Sequence, residues 1–395
     1  MLRVAAGMVT EVREKRTGVQ ILDVRLHDSG LVEPAVSFFD EDLAAGDEVL
    51  VNTTAVRLQL GTGGFHIVIG KTRRTVEDDL SPGAWGHVMK MRYAPSQLAV
   101  DTVEEQDSPY HERFCDESLS LEGTPVLIGE LHSLLPAAAA AVAWAAPEKR
   151  QVYVMPDAAS LPIALSRQVA RLKSAGVLAA TVTAGHAWGG DRETVTIHNG
   201  LLAARHVEQA DVILCFLGPG VTGTGTPLGF SGMQLAEVIH AVSLLGGIPF
   251  FIPRLSFADP RKRHFGISHH TRTVLGRFAL RPVLLAVPEF GDGRDDIVRS
   301  QTAELIRSGS HLAVSRPAPD HEQLERLEQT FGLSFVTMGR HWRNDPAPFQ
   351  AAVLAADLAV QSAPFLAECA SGGTHRCAGP DTLAALALFL TRSGV

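Results

Sequence analysis

Short β-rich runs alternate with glycine-containing turns over residues 1–71. The runs are Val9–Val12, Val19–Leu26, Leu31–Phe39, Asp47–Asn52 and Phe65–Ile69. Turn residues recur about every 8–12 positions, a spacing typical of antiparallel sandwiches and barrels. The pattern therefore predicts a small antiparallel β-barrel over residues 1–71.

Residues 72–123 differ from this pattern because they hold three prolines and few long apolar runs. A loop of this length inside a compact domain is unusual, so the segment predicts a domain boundary and a connector. We expect its basic pair, Arg73 and Arg74, to be solvated and without a functional role.

Over residues 124–345, short apolar runs alternate with helix-length amphipathic segments. The predicted strands are Pro125–Gly129, Gln151–Met155, Leu178–Val182, Asp211–Leu217, Ile248–Ile252, Val283–Val287, Leu312–Ser315 and Leu333–Met338. Near-continuous apolar strands separated by helices indicate parallel strands that are buried on both faces. This region is therefore predicted to be an α/β domain.

Two architectures fit eight such units. One is an open, doubly wound, Rossmann-like parallel sheet, and the other is a closed eightfold β/α barrel. We favour the open sheet because a long glycine loop follows the fourth predicted strand, which suits a nucleotide-type crevice. Residues 346–395 include the Ala/Leu-rich segments Phe349–Val360 and Asp381–Leu390, predicted to be helices that cover an edge of the sheet.

Composition narrows the class of protein. The 395 residues are 46% hydrophobic and 20% charged, which excludes a disordered or fibrous chain. The net charge of −8 gives no global argument for nucleic-acid binding. No run of about 18 apolar residues indicates a membrane span, and the N-terminus lacks a signal-peptide core. We therefore expect a cytoplasmic protein with no membrane partner; a homo-oligomer remains open.

The residues that follow the predicted strands suggest a site, because ligands bind at the carboxyl ends of parallel strands in both architectures. The candidate catalytic residues there are Asp157, His186, Asp191, Asp259, His269 and His270. The candidate ligand-binding residues are His132, Ser133, Gly218, Gly220, Thr222, Gly223, Thr224, Gly225, Thr226 and Arg254. We expect these side chains to meet at one edge of the sheet.

The most specific segment is the loop Gly218–Thr226, which follows an apolar strand and precedes a helical pattern. Four glycines let the backbone approach a ligand closely, and consecutive amides with a helix N-terminus can hold an anion. The spacing is neither the dinucleotide fingerprint nor a Walker A loop. The loop therefore predicts either a phosphate or carboxylate site, or a plain turn or flexible lid.

Histidine chemistry leaves alternatives open. Ser268 is a plausible N-cap for a helix that begins at His269, and either His269 or His270 could be an acid–base group, a metal ligand or a phosphate donor. A metal site that draws on His132, Asp157, His186, Asp191 and His269 has suitable ligand types, but no local spacing supports it. The metal and any cofactor stay unknown at this stage.

Several segments resemble a bacterial family that is known as a domain of unknown function, number 3866. The resemblance is carried by Leu131–Pro136, Gly185–Asp191, Ile213–Gly232, Arg254–Arg261 and Gly266–Thr271. It covers most of the chain and implies that the barrel and the α/β region form one unit. No activity is attached to that family, so the resemblance implies no catalytic residues.

Two functional interpretations remain. In the first, the protein is an enzyme that acts on a small anionic or phosphorylated metabolite: the glycine loop and Arg254 or Arg261 hold the anion, while strand-end His and Asp residues move protons. In the second, it is a non-catalytic regulator that binds a nucleotide or metabolite and contacts a partner through the barrel.

Overall fold

The structure is a computed structural model and describes residues 2–38, 42–60, 63–73, 85–157, 159–371 and 379–392. These residues form an N-terminal barrel and an α/β domain around an open eight-stranded sheet. The predicted fold class is confirmed, and the alternative of a closed eightfold β/α barrel is wrong. Arg74 lies outside the described residues.

The barrel consists of five strands and a one-turn helix. They are β1 (Val4–Arg16), β2 (Val19–Leu26), β3 (Val32–Ser37), β4 (Glu48–Asn52), α1 (Thr54–Arg57) and β5 (His66–Lys71). The strands close in the order β1-β2-β3-β5-β4. All pairs are antiparallel except β3 with β5, so the prediction of a wholly antiparallel barrel is wrong at that pair. Val9, Leu22 and Val49 fill the interior.

The predicted connector packs against the α/β domain. It contains the ribbon β6 (Val88–Lys90) and β7 (Leu98–Val100) and the short helix α2 (His111–Phe114). The buried Lys90 ammonium lies 2.6 Å from Glu193 Oε2 and donates to two backbone carbonyls. Burial lowers the pKa of Lys90 and raises that of Glu193, although each charge opposes the shift of the other. This ion pair anchors the ribbon at one edge of the main sheet.

The main sheet is parallel throughout and has the order β11-β10-β9-β12-β8-β13-β16-β17. Its strands are β8 (Pro125–Gly129), β9 (Gln151–Met155), β10 (Ala180–Ala184), β11 (Arg192–Thr194), β12 (Val212–Phe216), β13 (Ile248–Ile252), β16 (Leu284–Glu289) and β17 (Leu312–Pro317). Five of these strands are buried at every residue, as their apolar runs predict: β8, β9, β10, β12 and β13.

One predicted strand is wrong. Leu333–Met338 does not join the sheet; Val336–Thr337 (β18) pairs instead with Arg340–His341 (β19). The intervening Met338 and Gly339 both have positive φ, which is the conformation of a tight two-residue hairpin turn. Because the chain folds back on itself there, Arg340 and His341 do not follow a strand of the main sheet, and the polar strand β11 takes the eighth place.

Helices cover both faces of the sheet. They are α3 (Leu135–Ala145), α4 (Arg167–Ser174), α5 (Ile197–His206), α6 (Leu235–Leu244), α7 (His269–Thr273), α8 (Arg294–Gly309), α9 (His321–Phe331), α10 (Ala347–Gln361), α11 (Ala363–Ser371) and α12 (Pro380–Arg392). A short ribbon, β14 (Leu255–Ser256) with β15 (Gly266–Ile267), precedes α7, and a π-helical turn follows it at Val274–Phe278. Helices α3, α4 and α10 form one packed layer, and α5, α6 and the π-helical turn form another.

The direction of winding changes between two neighbouring strands. After β8 the chain enters α3, and after the adjacent β12 it enters α6, which belongs to the other layer. In doubly wound sheets this arrangement opens a crevice at the carboxyl ends of the two strands. The crevice here lies beyond Gly129 and Phe216.

The continuous helical stretch Ala347–Cys369 is long and apolar enough to cross a membrane by length and composition. However, 61% of its most apolar window is buried inside the protein. Helix α10 packs against α3 and against β8, β13 and β16, so it covers the middle of one face, whereas the prediction placed it at an edge. Helix α12 does contact the edge strand β17.

The barrel contacts the α/β domain directly. The Arg16 guanidinium donates to the carbonyl of Ala164, and Glu14 accepts from Arg167 at 2.6 Å. Phe38 meets Trp188 edge to face, with ring centroids 6.4 Å apart. These contacts attach the barrel to the segment that begins α4.

The crevice depends on close approach between β8 and β12 at Gly129. A Cβ atom at this position would lie 2.3 Å from Cε1 of Phe216. We therefore expect Gly129→Ala to lower the free energy of unfolding by about 1–3 kcal/mol, because overpacking forces neighbouring groups to shift. Urea denaturation would measure it, with Gly293→Ala as the control because no atom lies within 4 Å of that Cβ position. Equal losses in the two variants would contradict the prediction.

Candidate functional site

A cleft of about 360 Å³ lies at the carboxyl ends of β8, β12 and β13. The loop Gly218–Gly225 forms one part of its lining, and Arg254 and His270 belong to another. Gln168 at the start of α4 and Met338 in the β18–β19 turn complete it. The cleft therefore occupies the crevice where doubly wound sheets bind their ligands.

A buried charge cluster forms the base of this site. One oxygen of Glu130, Oε1, accepts from Arg254 Nη1 at 2.8 Å and from His270 Nδ1 at 2.6 Å. An ionised carboxylate can only accept, so we assign the Nδ1 proton of His270 toward Glu130, although Arg254 Nη1 also lies 3.1 Å from this nitrogen. Burial raises the pKa of Glu130, but the His270 hydrogen bond and the Arg254 charge outweigh it, and the pKa falls below its usual value. Glu130 is therefore ionised.

Glu130 and a neighbouring aromatic ring orient the His270 imidazole. Its ring stacks on Phe230 with centroids 3.8 Å apart and an interplanar angle of 2°. A Cβ atom at Gly223 would lie 3.8 Å from Nε2 of His270. This nitrogen therefore faces the glycine loop, while Nδ1 is bound to the carboxylate.

Three imidazoles meet beside the cleft: His264, His269 and His270 each offer a ring nitrogen, and these nitrogens lie within 4.8 Å of one another. His264 Nδ1 is 2.8 Å from Ser268 Oγ, and Ser268 caps α7 as predicted. Burial and nearby positive charges lower the pKa of His264 to about 3 and that of His269 to about 4. Both rings are therefore neutral near pH 7 and cannot serve as acids.

Three arginines line the cleft near these rings: Arg254, Arg261 and Arg263. Arg261 forms a two-point ion pair with Asp259 at 2.7 and 2.9 Å, and this contact holds the pKa of Asp259 well below its usual range. Asp259, a predicted catalytic residue, thus positions Arg261 in the cleft lining. Among the described residues, Arg263 has no carboxylate within ion-pair distance. It is the uncompensated positive charge of the cleft.

The glycine loop closes on itself as a narrow hairpin. The amide of Thr222 donates to Ser231 Oγ, and the amide of Thr224 donates to the Gly229 carbonyl. The hydroxyls of Thr224 and Thr226 bond to each other, so they serve the loop. Five residues of the loop that line the cleft have amides without a hydrogen bond in the described part of the chain: Gly218, Gly220, Val221, Gly223 and Gly225. These amides are the ones that a ligand can use.

His132 lines the cleft, but its nitrogens are already engaged. Nε2 lies 2.6 Å from Ser166 Oγ, and Nδ1 lies 3.3 Å from the Tyr153 hydroxyl, which donates to the carbonyl of Phe216. Ser133 Oγ likewise bonds to Thr337 Oγ1 at 2.7 Å. His132 and Ser133 therefore connect α4, β9 and β18 beneath the cleft.

Of the six predicted catalytic residues, only His270 lines the cleft. Asp259 and His269 contact lining residues, Arg261 and His270, without lining it themselves. Asp157, His186 and Asp191 have their partners elsewhere. Asp157 accepts the backbone amide of His186 at 2.9 Å, and His186 Nδ1 accepts the amide of Met91. Asp191 accepts from Lys173 and from the amide of Thr181. Thr181 lies at the amino end of β10, whereas the cleft lies at the carboxyl end of the sheet. Of the metal set considered from the sequence, only His269 belongs to the histidine cluster.

Several residues of the site were missed as site residues in the sequence analysis: Glu130, Gln168, Arg263, His264 and Met338. Arg263 and His264 lie in a basic run, where solvation is the usual outcome. The spacing of His264 to His269 and His270 places three imidazoles around one short helix start and would have pointed to them.

A comparison with protein families identifies relatives of the whole unit. A family model described as "Protein of unknown function (DUF3866)" matches residues 36–356, most of the chain. The chain belongs to the DUF3866 family. No curated protein and no solved structure matches it. The matched range begins within the barrel and extends through α10, so in this DUF3866 protein it contains the entire cleft and the histidine cluster.

Proposed function

We propose that the cleft binds a small anionic metabolite that carries a phosphate group, and that the protein is an enzyme acting on it. The observation that carries this proposal is the charge balance of the lining. Glu130 neutralises Arg254 and Asp259 neutralises Arg261, which leaves Arg263 as a net positive charge. An anion supplies the missing partner.

The lining also has the donors that a phosphate uses. Guanidinium groups bind phosphate oxygens through two parallel N–H bonds, and backbone amides in glycine-rich loops bind the remaining oxygens. The loop residues whose amides are free line the same cleft as Arg263. The volume of about 360 Å³ suits a small metabolite.

The Glu130–His270 pair is the group that would act on the bound anion. A carboxylate that holds one imidazole nitrogen and leaves the other facing the substrate is the arrangement of many acid–base and metal-dependent enzymes. In the present site Glu130 fixes the tautomer and orientation of His270. A Cβ atom at Gly223 would lie 3.8 Å from the free nitrogen, so an anion bound at the glycine loop would contact it.

We expect Arg263→Ala to weaken the binding of phosphate compounds at least tenfold, because a charge-assisted hydrogen bond contributes about 1.5–3 kcal/mol. Isothermal titration calorimetry with inorganic phosphate, ribose 5-phosphate and a nucleoside monophosphate would measure this. Lys262→Ala is the matched control, since Lys262 is exposed, adjacent and absent from the lining. Failure of all three compounds to bind, or equal losses in both variants, would refute the site.

A regulatory protein is the second candidate, favoured by one contact. Gln168 in the cleft lining is next to Arg167, which binds Glu14 of the barrel. A ligand could therefore alter the barrel contact without being converted. Phosphorus NMR of the incubated compounds separates the two: an enzyme converts one of them and loses turnover in His270→Gln with affinity retained. A regulator converts none and changes hydrogen exchange at the barrel contact.

A further inference from the structure

The three histidines beside the cleft have a geometry that packing alone does not explain. One nitrogen of each ring lies within 4.8 Å of the others, although His264 precedes β15 and His269 and His270 begin α7. Nε2 of His269 is buried and has no hydrogen-bond partner among the described residues. Burial of a polar atom without a hydrogen-bond partner costs free energy, and such an atom often binds an ion or a water molecule.

We propose that His264, His269 and His270 bind a divalent transition metal ion, with zinc as the expected metal. Imidazole nitrogens suit zinc, copper, nickel and iron. Three protein ligands leave one coordination position open, as in catalytic zinc sites. This inference goes beyond the proposed function, because the histidines would hold the ion with or without an anion in the cleft. It also changes one part of that proposal: with an ion on Nε2 of His270, the ion instead of the imidazole would contact the anion.

The surroundings of the ligands fit a metal site. Histidines that bind metals almost always give their second nitrogen to a carboxylate, carbonyl or hydroxyl, which fixes the ring. His270 gives Nδ1 to Glu130, and His264 has Nδ1 on Ser268 Oγ. Nε2 is then the nitrogen that each of these rings has left for an ion. His269 contributes the unpartnered Nε2, so all three rings have a nitrogen available.

The open coordination position would face the cleft, because His264 and His270 line it. The positive charge of an added ion is balanced in part by Glu130, which lies 2.6 Å from His270 Nδ1. The rest of the balance would come from an anion or hydroxide at the open position. This last step rests on the proposed function: a phosphate oxygen would reach the ion while Arg263 holds the same group.

The test is direct metal binding to the full chain after removal of metals with a chelator. We expect the wild-type protein to take up one zinc ion, measured by calorimetry, and to give the visible absorption of a tetrahedral site with cobalt(II). His269→Ala and His264→Ala should each lower zinc affinity at least tenfold. His186→Ala should bind as the wild type does, because that histidine lies outside the cluster.

Each outcome bears on one proposal. Zinc binding that survives in both His269→Ala and His264→Ala, or no zinc binding by the wild type, overturns the metal site. If the metal-free melting temperatures show that one variant is unfolded, the other decides. Phosphate binding without zinc binding would leave the proposed function standing and refute the metal. Zinc binding without phosphate binding would leave the metal site standing and refute the proposed function.

Discussion

Glu130→Ala is expected to lower the free energy of unfolding by about 3–5 kcal/mol, the usual cost of removing one partner from a buried ion pair. The carboxylate is 3% exposed and holds both Arg254 and His270 through a single oxygen. Its removal leaves the guanidinium of Arg254, itself 7% exposed, in the protein interior without a counter-charge. Urea denaturation monitored by circular dichroism would measure the loss.

An exposed ion pair provides the control. Glu304 pairs with Arg272 at 2.6 Å, but its side chain is 55% exposed. Exposed pairs contribute about 0–1 kcal/mol, so Glu304→Ala should change the unfolding free energy little. A loss in Glu130→Ala as small as that in Glu304→Ala would show that the cluster at the base of the cleft does not stabilise the fold.

The strands of the main sheet could be predicted because burial on both faces makes their sequences apolar along their whole length. Strand β11 could not, since Arg192–Thr194 is short and polar and lies at the sheet edge. The apolar pattern of Leu333–Met338 has a cause other than a strand of the main sheet. Leu333 and Phe335 are buried in the core beside the sheet, so their hydrophobic pattern is real but does not indicate a strand.

The site could be predicted in part, and sheet order explains the rest. The rule that ligands bind at strand carboxyl ends brought Gly218, Arg254 and His270 together correctly, because β8, β12 and β13 are adjacent. Asp157 and His186 follow β9 and β10, which lie one and two strands beyond β12, the nearest strand of the cleft. At about 4.8 Å per strand, they fall roughly 5–10 Å to one side of it. Strand order is not visible in the local pattern.

Asp191 was misplaced for a different reason. Strands β10 and β11 are adjacent and parallel, with Val182 opposite Arg192, yet no helix connects them. The chain from residue 185 to residue 191 must therefore run back along the sheet before β11 begins. This return brings Asp191 to the amide of Thr181 at the start of β10. Only the pairing of these two strands reveals it.

Acidification should destabilise the protein through His132. Burial lowers the pKa of this imidazole from 6.5 to about 4, although a hydrogen bond to the Leu217 backbone opposes the shift. Because the folded pKa lies below the unfolded one, the unfolded chain binds the proton first. The stability that His132 contributes is therefore complete above pH 6.5 and is lost as the pH falls toward 4. At about 1.4 kcal/mol per pH unit, the loss is roughly 3 kcal/mol.

The wild-type curve alone does not isolate this effect, because Asp357 acts in the opposite direction. Burial raises the pKa of its carboxyl from 3.8 to about 6, so its contribution to stability grows as the pH falls through that interval. The comparison that isolates His132 is urea denaturation of wild type and His132→Asn at pH 7 and pH 4.5. The hydrogen bonds lost in the variant lower its unfolding free energy equally at pH 7 and pH 4.5. Because the variant has no imidazole to protonate at this position, its unfolding free energy falls less between these pH values than that of the wild type, by up to about 3 kcal/mol. If His132→Asn keeps the wild-type slope, His132 does not carry the acid sensitivity, and its imidazole titrates in the folded protein much as it does in the unfolded chain.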